Sequence, residues 1–308
     1  MARAHQHPAL PTRDGVSASC VALTPGPWHC LIDFMAARFP RISRDQWAER
    51  FAQGLIFNAQ GQPVQANAPC VPHTRLYYYR SVPQEPALPF EAQVLFQDGH
   101  VVVADKPHFM PVTPAGRYVQ QSLLVQLKHL TGNDDLVPLH RIDRETAGLV
   151  MFGKCLQDRD AYHALFRDKA LHKVYEAVAA FNPALTLPRV HISRLQPDEL
   201  FFRTQEVDGE PNSETRISLL KTEDSRALYQ LEPVSGKRHQ LRVHMMALGL
   251  PLEGDQFYPT VLRGPDAEED FSHPLQLLAK SVAFTDPVTG EVREFHSALR
   301  LSMTLQNS

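Results

Sequence analysis

The sequence predicts an α+β protein whose main domain is built on a mixed, largely antiparallel β-sheet. Strand-like apolar runs outnumber helical runs beyond residue 90. These runs do not alternate regularly with helices, as they would in a parallel β-α-β fold. The chain has 308 residues, of which 43% are hydrophobic, so it is long enough for one large domain or two smaller ones.

The first part of the chain predicts a small separate module over residues 29–80. Residues 1–28 show no periodicity, and we expect a flexible tail there. Apolar residues recur at helical spacing over 29–39, and a second helix is opened by a capping box from Ser43 to Gln46 and ended by Gly54. Short strands are predicted over 55–58, 63–66 and 75–80.

A proline-rich stretch over 81–92 predicts a stiff linker, so that residues 93–308 form a second domain. This domain opens with a hairpin over 93–105 that turns at Asp98-Gly99. Helices are predicted over 121–130, 157–168 and 238–248. Further strands are predicted over 148–152, 173–179, 214–220, 226–232 and 275–284.

The composition excludes several classes of protein. No apolar run approaches the roughly 20 residues that span a bilayer, so we expect no membrane segment. The four cysteines form no C-x-x-C pair, which argues against a disulfide framework or a zinc knuckle and suits a reducing cytoplasm. The net charge is -3, so any nucleic acid would have to be attracted by a local basic groove.

The densest cluster of charged residues in the sequence runs from His140 to Gly148. A charged run is usually solvated surface, but here apolar segments flank it on both sides. Charged groups lodged between buried segments need partners, and such sites are enriched in function. The cluster around Asp143 is therefore the best candidate for an active site.

Residues 140–149, HRIDRETAGL, resemble the signature of the RluA-type pseudouridine synthases, His-Arg-Leu-Asp followed by two variable residues and Thr-Ser-Gly. The departures are Ile142 for leucine and Ala147 for serine, both similar in size. Other segments resemble family motifs in the same order: VADKP at 103–107, KVYEA at 173–177, SGKRHQLRVH at 235–244, GLPLEGD at 249–255 and LLA at 277–279.

The resemblance implies an RNA pseudouridine synthase, an isomerase acting on ribosomal or transfer RNA. Asp143 takes the position of the catalytic aspartate, Arg242 that of the arginine paired with it, and Tyr175 that of the tyrosine beneath the target base. Leu277 matches a small apolar wall, whereas Leu278 replaces a histidine of the family. We expect further substrate contacts, including phosphate contacts, from His140, Arg141, Arg144, Lys106 and Lys173.

The implied reaction needs neither a metal nor a cofactor, because no redox step occurs and no external group enters. An ionised Asp143 could attack the sugar or the base, or it could accept a proton, and the sequence does not choose between these roles. An arginine partner would keep the carboxylate ionised and oriented.

Residues 29–80 resemble an S4-type RNA-binding module, with Phe57-Asn58-Ala59 in place of its usual Val-Asn-Gly step. The candidate phosphate contacts of this module are Arg38, Arg41, Arg44 and Arg50. The alternative is a helical cap that stabilises the second domain without binding RNA.

Two other functions are alternatives to a pseudouridine synthase. One is metal-assisted hydrolysis with ligands from His140, His239, His244 and Asp255, although five residues turn a helix by roughly 500° and leave His239 and His244 on different faces. The other is a non-catalytic RNA-binding protein that has kept the synthase fold. We expect a cytoplasmic monomer with RNA as its partner.

Overall fold

The computed structural model describes residues 10–40, 42–80, 85–262, 264, 267 and 269–304. The chain divides into an N-terminal unit, residues 1–85 with 116–120, and a C-terminal unit, residues 86–115 with 121–308. The division falls inside the predicted linker, of which residues 81–84 lie outside the described part. Within the N-terminal unit, the Glu85 carboxylate accepts the backbone N–H groups of Val119 and Gln120, which ties 116–120 to this unit.

The N-terminal unit has two helices and a three-stranded antiparallel sheet of order β1-β3-β2. The elements are β1 (Ser19–Ala22), α1 (Leu31–Arg38), α2 (Arg44–Ala52), β2 (Ile56–Phe57) and β3 (Arg75–Tyr78). The capping box is present, because the Ser43 and Gln46 side chains each accept the other's backbone N–H. Trp47 of α2 is fully buried and meets Tyr78 edge to face with ring centroids 5.6 Å apart.

Two expectations for this unit are wrong. The flexible tail predicted over 1–28 includes β1, which pairs with β3 from Ser19↔Tyr78 to Ala22↔Arg75; residues 1–9 lie outside the described part. The strand predicted over 63–66 is reduced to a single bridge between Pro63 and Phe57. Proline has no N–H to donate, so a longer ladder cannot start there.

The C-terminal unit is built on one large sheet of order β10-β9-β11-β12-β8-β13-β7-β5-β4, with β14 paired to β13 and β6 to β7. Its strands are β4 (Gln93–Gln97), β5 (Val101–Lys106), β6 (Val137–Pro138), β7 (Ala147–Gly153), β8 (His172–Ala180), β9 (Arg189–Pro197), β10 (Thr204–Val207), β11 (Ser213–Glu223), β12 (Arg226–Pro233), β13 (Leu277–Thr285) and β14 (Val292–His296). Its helices are α3 (Leu123–Thr131), α4 (Arg159–Arg167) and α5 (Gln240–Ala247).

The predicted fold class is confirmed. Among the described strands, β7 and β13 are the one parallel pair, and the other pairings are antiparallel. The strands β6, β9, β10 and β14 were not predicted. Within the described chain, no helix has the length and apolar character needed to cross a bilayer.

The helices α4 and α5 pack on the same face of the sheet. The register places Leu277 of β13 opposite Ala177 of β8, and Val282 opposite Lys173, so Leu277 and Val282 lie on one face despite the bulge between them. Val282 belongs to the core beneath α4, and Leu277 to the core beneath α5. The two helices thus flank the part of β8 and β13 that lies between these two cores.

Gly148 allows β7 to approach β13 closely. Its φ is +108°, and a Cβ built on it would lie 2.3 Å from the carbonyl oxygen of Ala279. No other residue type fits this position without moving the strand. The glycine of the HRIDRETAGL segment is thus required where that segment enters the sheet.

Candidate active site

A cleft of about 830 Å³ opens in the C-terminal unit and contains most of the predicted site. It is lined by the segment 139–143, the last residues of α4, the start of β8, the residues that precede and begin α5, and Leu277. Asp143, Tyr175 and Arg242, which are far apart in sequence, all face this space.

Asp143 lies at the base of the cleft with 22% of its side chain exposed. Burial raises the pKa of its carboxyl group, and the positive charges of Arg242, Arg141 and Lys106 oppose that rise. Its two oxygens face different residues: Oδ2 lies 3.6 Å from Arg242 Nη1, and Oδ1 lies 3.8 Å from His239 Nε2.

Arg242 is fully buried on α5 and is held by a second carboxylate. Its Nε and Nη2 donate to the two oxygens of Asp255 at 2.8 and 2.6 Å. The remaining nitrogen, Nη1, makes no hydrogen bond to the residues that the structure describes, and it lies between Asp143 and Glu145, 3.7 Å from Glu145 Oε2. These carboxylates raise the pKa of the guanidinium, so Arg242 stays charged in spite of its burial.

His239 is a residue of the cleft whose position sequence reasoning did not find. It precedes α5 in a left-handed conformation with φ +55°, and its Nδ1 lies 2.9 Å from the Tyr258 hydroxyl. Burial and Arg242 lower its pKa to about 3, so the ring is neutral. The motif SGKRHQLRVH contains His239, but the motif alone gave no reason to place it beside Asp143.

Tyr175 and Leu277 form an apolar floor near the carboxylate. Tyr175 lies opposite Ala279 in the β8–β13 register, two residues from the pair Ala177↔Leu277. Burial and the charge of Asp143 raise the pKa of the Tyr175 hydroxyl, which therefore stays protonated at neutral pH. The ring offers a flat face, and Leu277 offers an apolar wall.

The structure engages two of the predicted phosphate contacts, Lys106 and Arg144, in contacts within the protein. Lys106 is fully buried, and its Nζ donates to the carbonyl oxygens of Pro107 and Arg144 at 2.9 and 3.0 Å. Burial lowers the pKa of Lys106 to about 7. Arg144 pairs with Glu145 and Glu269 instead of lining the cleft. Both residues therefore support the loop that carries Asp143.

The other predicted contacts, His140, Arg141 and Lys173, line the cleft. His140 is engaged by the protein, because its Nε2 accepts the N–H of Met151 and its ring stacks on Phe166 with centroids 4.7 Å apart. Arg141 is exposed, and Lys173 is half-buried. Of these three, Arg141 and Lys173 have a cationic group that faces the cleft.

The rim of the cleft is more basic than the sequence indicated. Besides Arg141 and Lys173, it includes Arg167 at the end of α4, Lys169 after that helix, Arg216 of β11 and Lys237 before α5. Arg167, Lys169 and Arg216 lie outside every motif, so only the fold reveals them. A local basic groove is thus present on a chain whose net charge is -3.

The four residues considered as ligands for metal-assisted hydrolysis do not form a metal site together. His140 and His239 are engaged as described, and Asp255 holds Arg242. His244 forms a different group with His191 and Glu206 whose ligand atoms lie within 4.8 Å of one another in the described chain. Both ring nitrogens of His244 already have hydroxyl partners, Thr215 on one side and Ser193 and Ser213 on the other.

Comparison with known proteins points to one enzyme family. Residues 100–247 match the family model for RNA pseudouridylate synthase. The chain is 30% identical over 231 residues to an RNA pseudouridine synthase of Synechocystis sp., covering 74% of this chain and 79% of that protein. It is 30% identical over 199 residues to the dual-specificity RNA pseudouridine synthase RluA of Vibrio cholerae, covering 63% of this chain and 77% of that protein.

Solved structures share the fold. The human RNA pseudouridylate synthase domain containing 1 superposes with a TM-score of 0.56 at 20% identity, covering 69% of this chain and 85% of that one. The human RNA pseudouridylate synthase domain containing 4 superposes with a TM-score of 0.52 at 24% identity, covering 68% and 88%.

Proposed function

Because the chain belongs to the RNA pseudouridine synthase family, whose members are isomerases that convert uridine to pseudouridine in RNA, we propose that Asp143 is its catalytic carboxylate. The observation that carries this proposal is the contact between Asp143 Oδ2 and Arg242 Nη1 at 3.6 Å in the cleft. Nη1 has no hydrogen-bond partner of its own, so its charge is directed at the carboxylate.

The reaction exchanges an N-glycosidic bond for a C-glycosidic bond within one nucleotide, and no external group is added. The bond between N1 of uracil and C1′ of the ribose breaks, the base turns, and C5 bonds to the same C1′. The proton of C5 leaves, and a proton returns to N1, so the atoms balance. An ionised Asp143 can serve as nucleophile or as proton acceptor in this sequence, and its position at the base of the cleft supports both roles.

We propose that Tyr175 and Leu277 hold the uracil after it has left its helix. A base can reach a buried carboxylate only when it is unstacked and flipped out. The Tyr175 ring then supplies a stacking face, and Leu277 limits the depth of the pocket. Because the raised pKa keeps the Tyr175 hydroxyl protonated, it can donate a hydrogen bond to the base.

The basic rim is proposed to hold the RNA backbone around the flipped nucleotide. Arg141, Lys169 and Arg216 are exposed. Phosphate contacts of this kind position an RNA without reading its sequence. The substrate is proposed to be ribosomal or transfer RNA, since one relative is named a dual-specificity synthase and another, from Rickettsia typhi, a ribosomal large subunit synthase.

We further propose that the protein acts as a cytoplasmic monomer. The four cysteines Cys20, Cys30, Cys70 and Cys155 form no C-x-x-C pair, which suits a reducing compartment. Sedimentation at increasing concentration would test the monomer.

The experiment that tests the function compares Asp143→Asn with Asp224→Asn, a control on an exposed carboxylate between β11 and β12 that does not line the cleft. The substrate is total RNA from cells that lack the gene, and pseudouridine is mapped by specific chemical labelling. The parent and Asp224→Asn should modify the same uridines. Asp143→Asn should bind RNA and melt as the parent does, yet form no pseudouridine. Equal turnover by Asp143→Asn would reject the assignment.

A further inference from the structure

We propose that His239, held by Tyr258, is a positioning residue that presents an N–H group to Oδ1 of Asp143 while Arg242 holds Oδ2. The inference rests on the proposed function, because it concerns the carboxylate to which catalysis was assigned. His239 Nε2 lies 3.8 Å from Asp143 Oδ1, on the opposite side of the carboxyl group from Arg242 Nη1. Each oxygen of the catalytic carboxylate thus has its own partner.

The ring of His239 is held by two residues, Phe257 and Tyr258. It stacks on Phe257 with centroids 5.9 Å apart and planes at 24°, and it meets Tyr258 edge to face at 5.7 Å. Its Nδ1 lies 2.9 Å from the Tyr258 hydroxyl. The backbone adopts φ +55°, a conformation that costs free energy for a non-glycine residue and persists only where the surroundings impose it.

The tautomer of His239 follows from its charge and its neighbours. The ring is neutral and carries one N–H. The Tyr258 hydroxyl accepts the N–H of Thr204 at 2.8 Å and has one proton to give, either to His239 Nδ1 or to the Thr204 carbonyl oxygen at 3.0 Å. Donation to Nδ1 places the ring proton on Nε2, where it faces the anionic carboxylate, and this arrangement is favoured electrostatically.

Asp255 couples both partners of Asp143. Its carboxylate holds Arg242 through two hydrogen bonds, and Oδ1 also accepts the backbone N–H groups of Phe257 and Tyr258 at 2.9 and 3.1 Å. The turn that clamps His239 is therefore organised by the same residue that aims the arginine.

The test compares two isosteric substitutions of His239. Glutamine places an amide nitrogen near the position of Nε2, whereas asparagine places one near Nδ1 and leaves nothing opposite Asp143. Asparagine also tolerates the left-handed backbone, so His239→Asn should fold. Single-turnover rates are measured at saturating RNA, with RNA affinity and melting temperature measured alongside.

We expect His239→Asn to slow the single-turnover step by about 10- to 100-fold at unchanged RNA affinity, because Oδ1 of Asp143 loses the group that faces it and the carboxylate is less firmly positioned. His239→Gln should recover most of the rate. Tyr258→Phe alone should lower the single-turnover rate. In the His239→Asn variant it should lower the rate little further, because both substitutions interrupt the same series of contacts from Tyr258 through His239 to Asp143.

Two outcomes would overturn the inference while leaving the proposed function in place. One is a His239→Asn rate within twofold of the parent, and the other is equal loss in the asparagine and glutamine variants. If Asp143→Asn itself turned over like the parent in the same assay, the proposed function would fail first, and this inference would fall with it.

Discussion

Asp255 holds Arg242 with both carboxylate oxygens, at 2.8 and 2.6 Å, and neither side chain has more than 1% of its surface exposed. A buried guanidinium needs such a partner, since transfer of a charge out of water is costly. Only Nη1 of Arg242 is left to face Asp143. The orientation of the arginine toward Asp143, the proposed catalytic carboxylate, is therefore set by a residue that does not line the cleft.

We predict that Asp255→Asn lowers both stability and rate. Removing one partner of a buried ion pair costs about 3–5 kcal/mol, so the melting temperature should fall. The single-turnover rate should also fall, by about 10- to 100-fold, because Nη1 loses its fixed position. The control is Glu253→Gln, which breaks a similar ion pair in which Arg226 donates two hydrogen bonds to Glu253. The side chains of Arg226 and Glu253 are 39% and 35% exposed, so the loss of this pair should lower the free energy of unfolding by less than about 1 kcal/mol. Equal effects of the two variants would contradict this account.

A second prediction concerns the acidic limb of the pH–rate profile. The rate should fall as pH drops through the pKa of Asp143, because protonation removes the active carboxylate. That pKa is raised by burial and held down in part by Arg242, Arg141 and Lys106. Arg141→Gln removes one of these positive charges, so the pKa rises further and the limb moves to higher pH. Single-turnover rates at saturating RNA over pH 4–8 (roughly the range in which a raised carboxyl pKa titrates) measure the shift.

The control for this profile is Arg300→Gln, which removes an exposed arginine outside the cleft. Its limb should coincide with that of the parent. A limb that moves to lower pH in Arg141→Gln would show that another group, and not Asp143, titrates there.

The sequence predicted the C-terminal unit well where its patterns were strong. The run Lys173–Ala177 and the run Leu277–Ala279 form neighbouring strands, as buried apolar segments should. It missed β9 because the apolar alternation there is short: Val190 and Ile192 alternate with polar residues, and Arg194 ends the pattern. The pairing of β9 is decided by its ladder with β11, which is a tertiary contact.

The site was predicted in part, for a similar reason. Asp143, Tyr175 and Arg242 lie in motifs and share the cleft. Whether a strand-end lysine is exposed or buried is decided by the segment that covers it, so the full burial of Lys106 could not be inferred. Arg216 is an ordinary charged residue in sequence, and only the position of β11 brings it to the rim.

We predict that the basic rim accounts for part of the salt dependence of RNA binding. Arg216→Gln and Lys169→Gln should each weaken binding and reduce the slope of log affinity against log salt by about 0.7 to 0.9. Lys221→Gln is the matched control, since Lys221 lies on β11 with Arg216 but outside the cleft and pairs with Glu223. Slopes that change equally in all three variants would remove the rim as the phosphate site.

A fourth prediction is that turnover survives removal of divalent metal. The reaction as proposed uses Asp143, Arg242 and Tyr175 and no ion. RNA folded beforehand should be modified after EDTA treatment at the parent rate. If turnover were lost and returned only with a transition metal, the group of His191, Glu206 and His244 would be the first to mutate.

The N-terminal unit is predicted to bind RNA as an S4-like module. Of its candidate phosphate contacts, Arg44 is paired with Asp33, and the Arg50 guanidinium lies 5.0 Å from the Trp47 ring. Arg41 lies outside the described residues. Because Asp33 competes with a phosphate for the Arg44 guanidinium, removing the charge of Asp33 is expected to strengthen RNA binding.

Asp33→Asn should therefore raise RNA affinity and steepen its salt dependence, whereas Arg44→Gln should lower both. The single-turnover rate at saturating RNA should stay the same in each variant, because Asp143 and its partners lie in the other unit. Asp45→Asn is the control, since it removes an exposed carboxylate from α2, the helix that carries Arg44, without releasing an arginine. If the unit is only a helical cap, Asp33→Asn and Asp45→Asn will give the same affinity, and Asp33→Asn will lower the melting temperature instead.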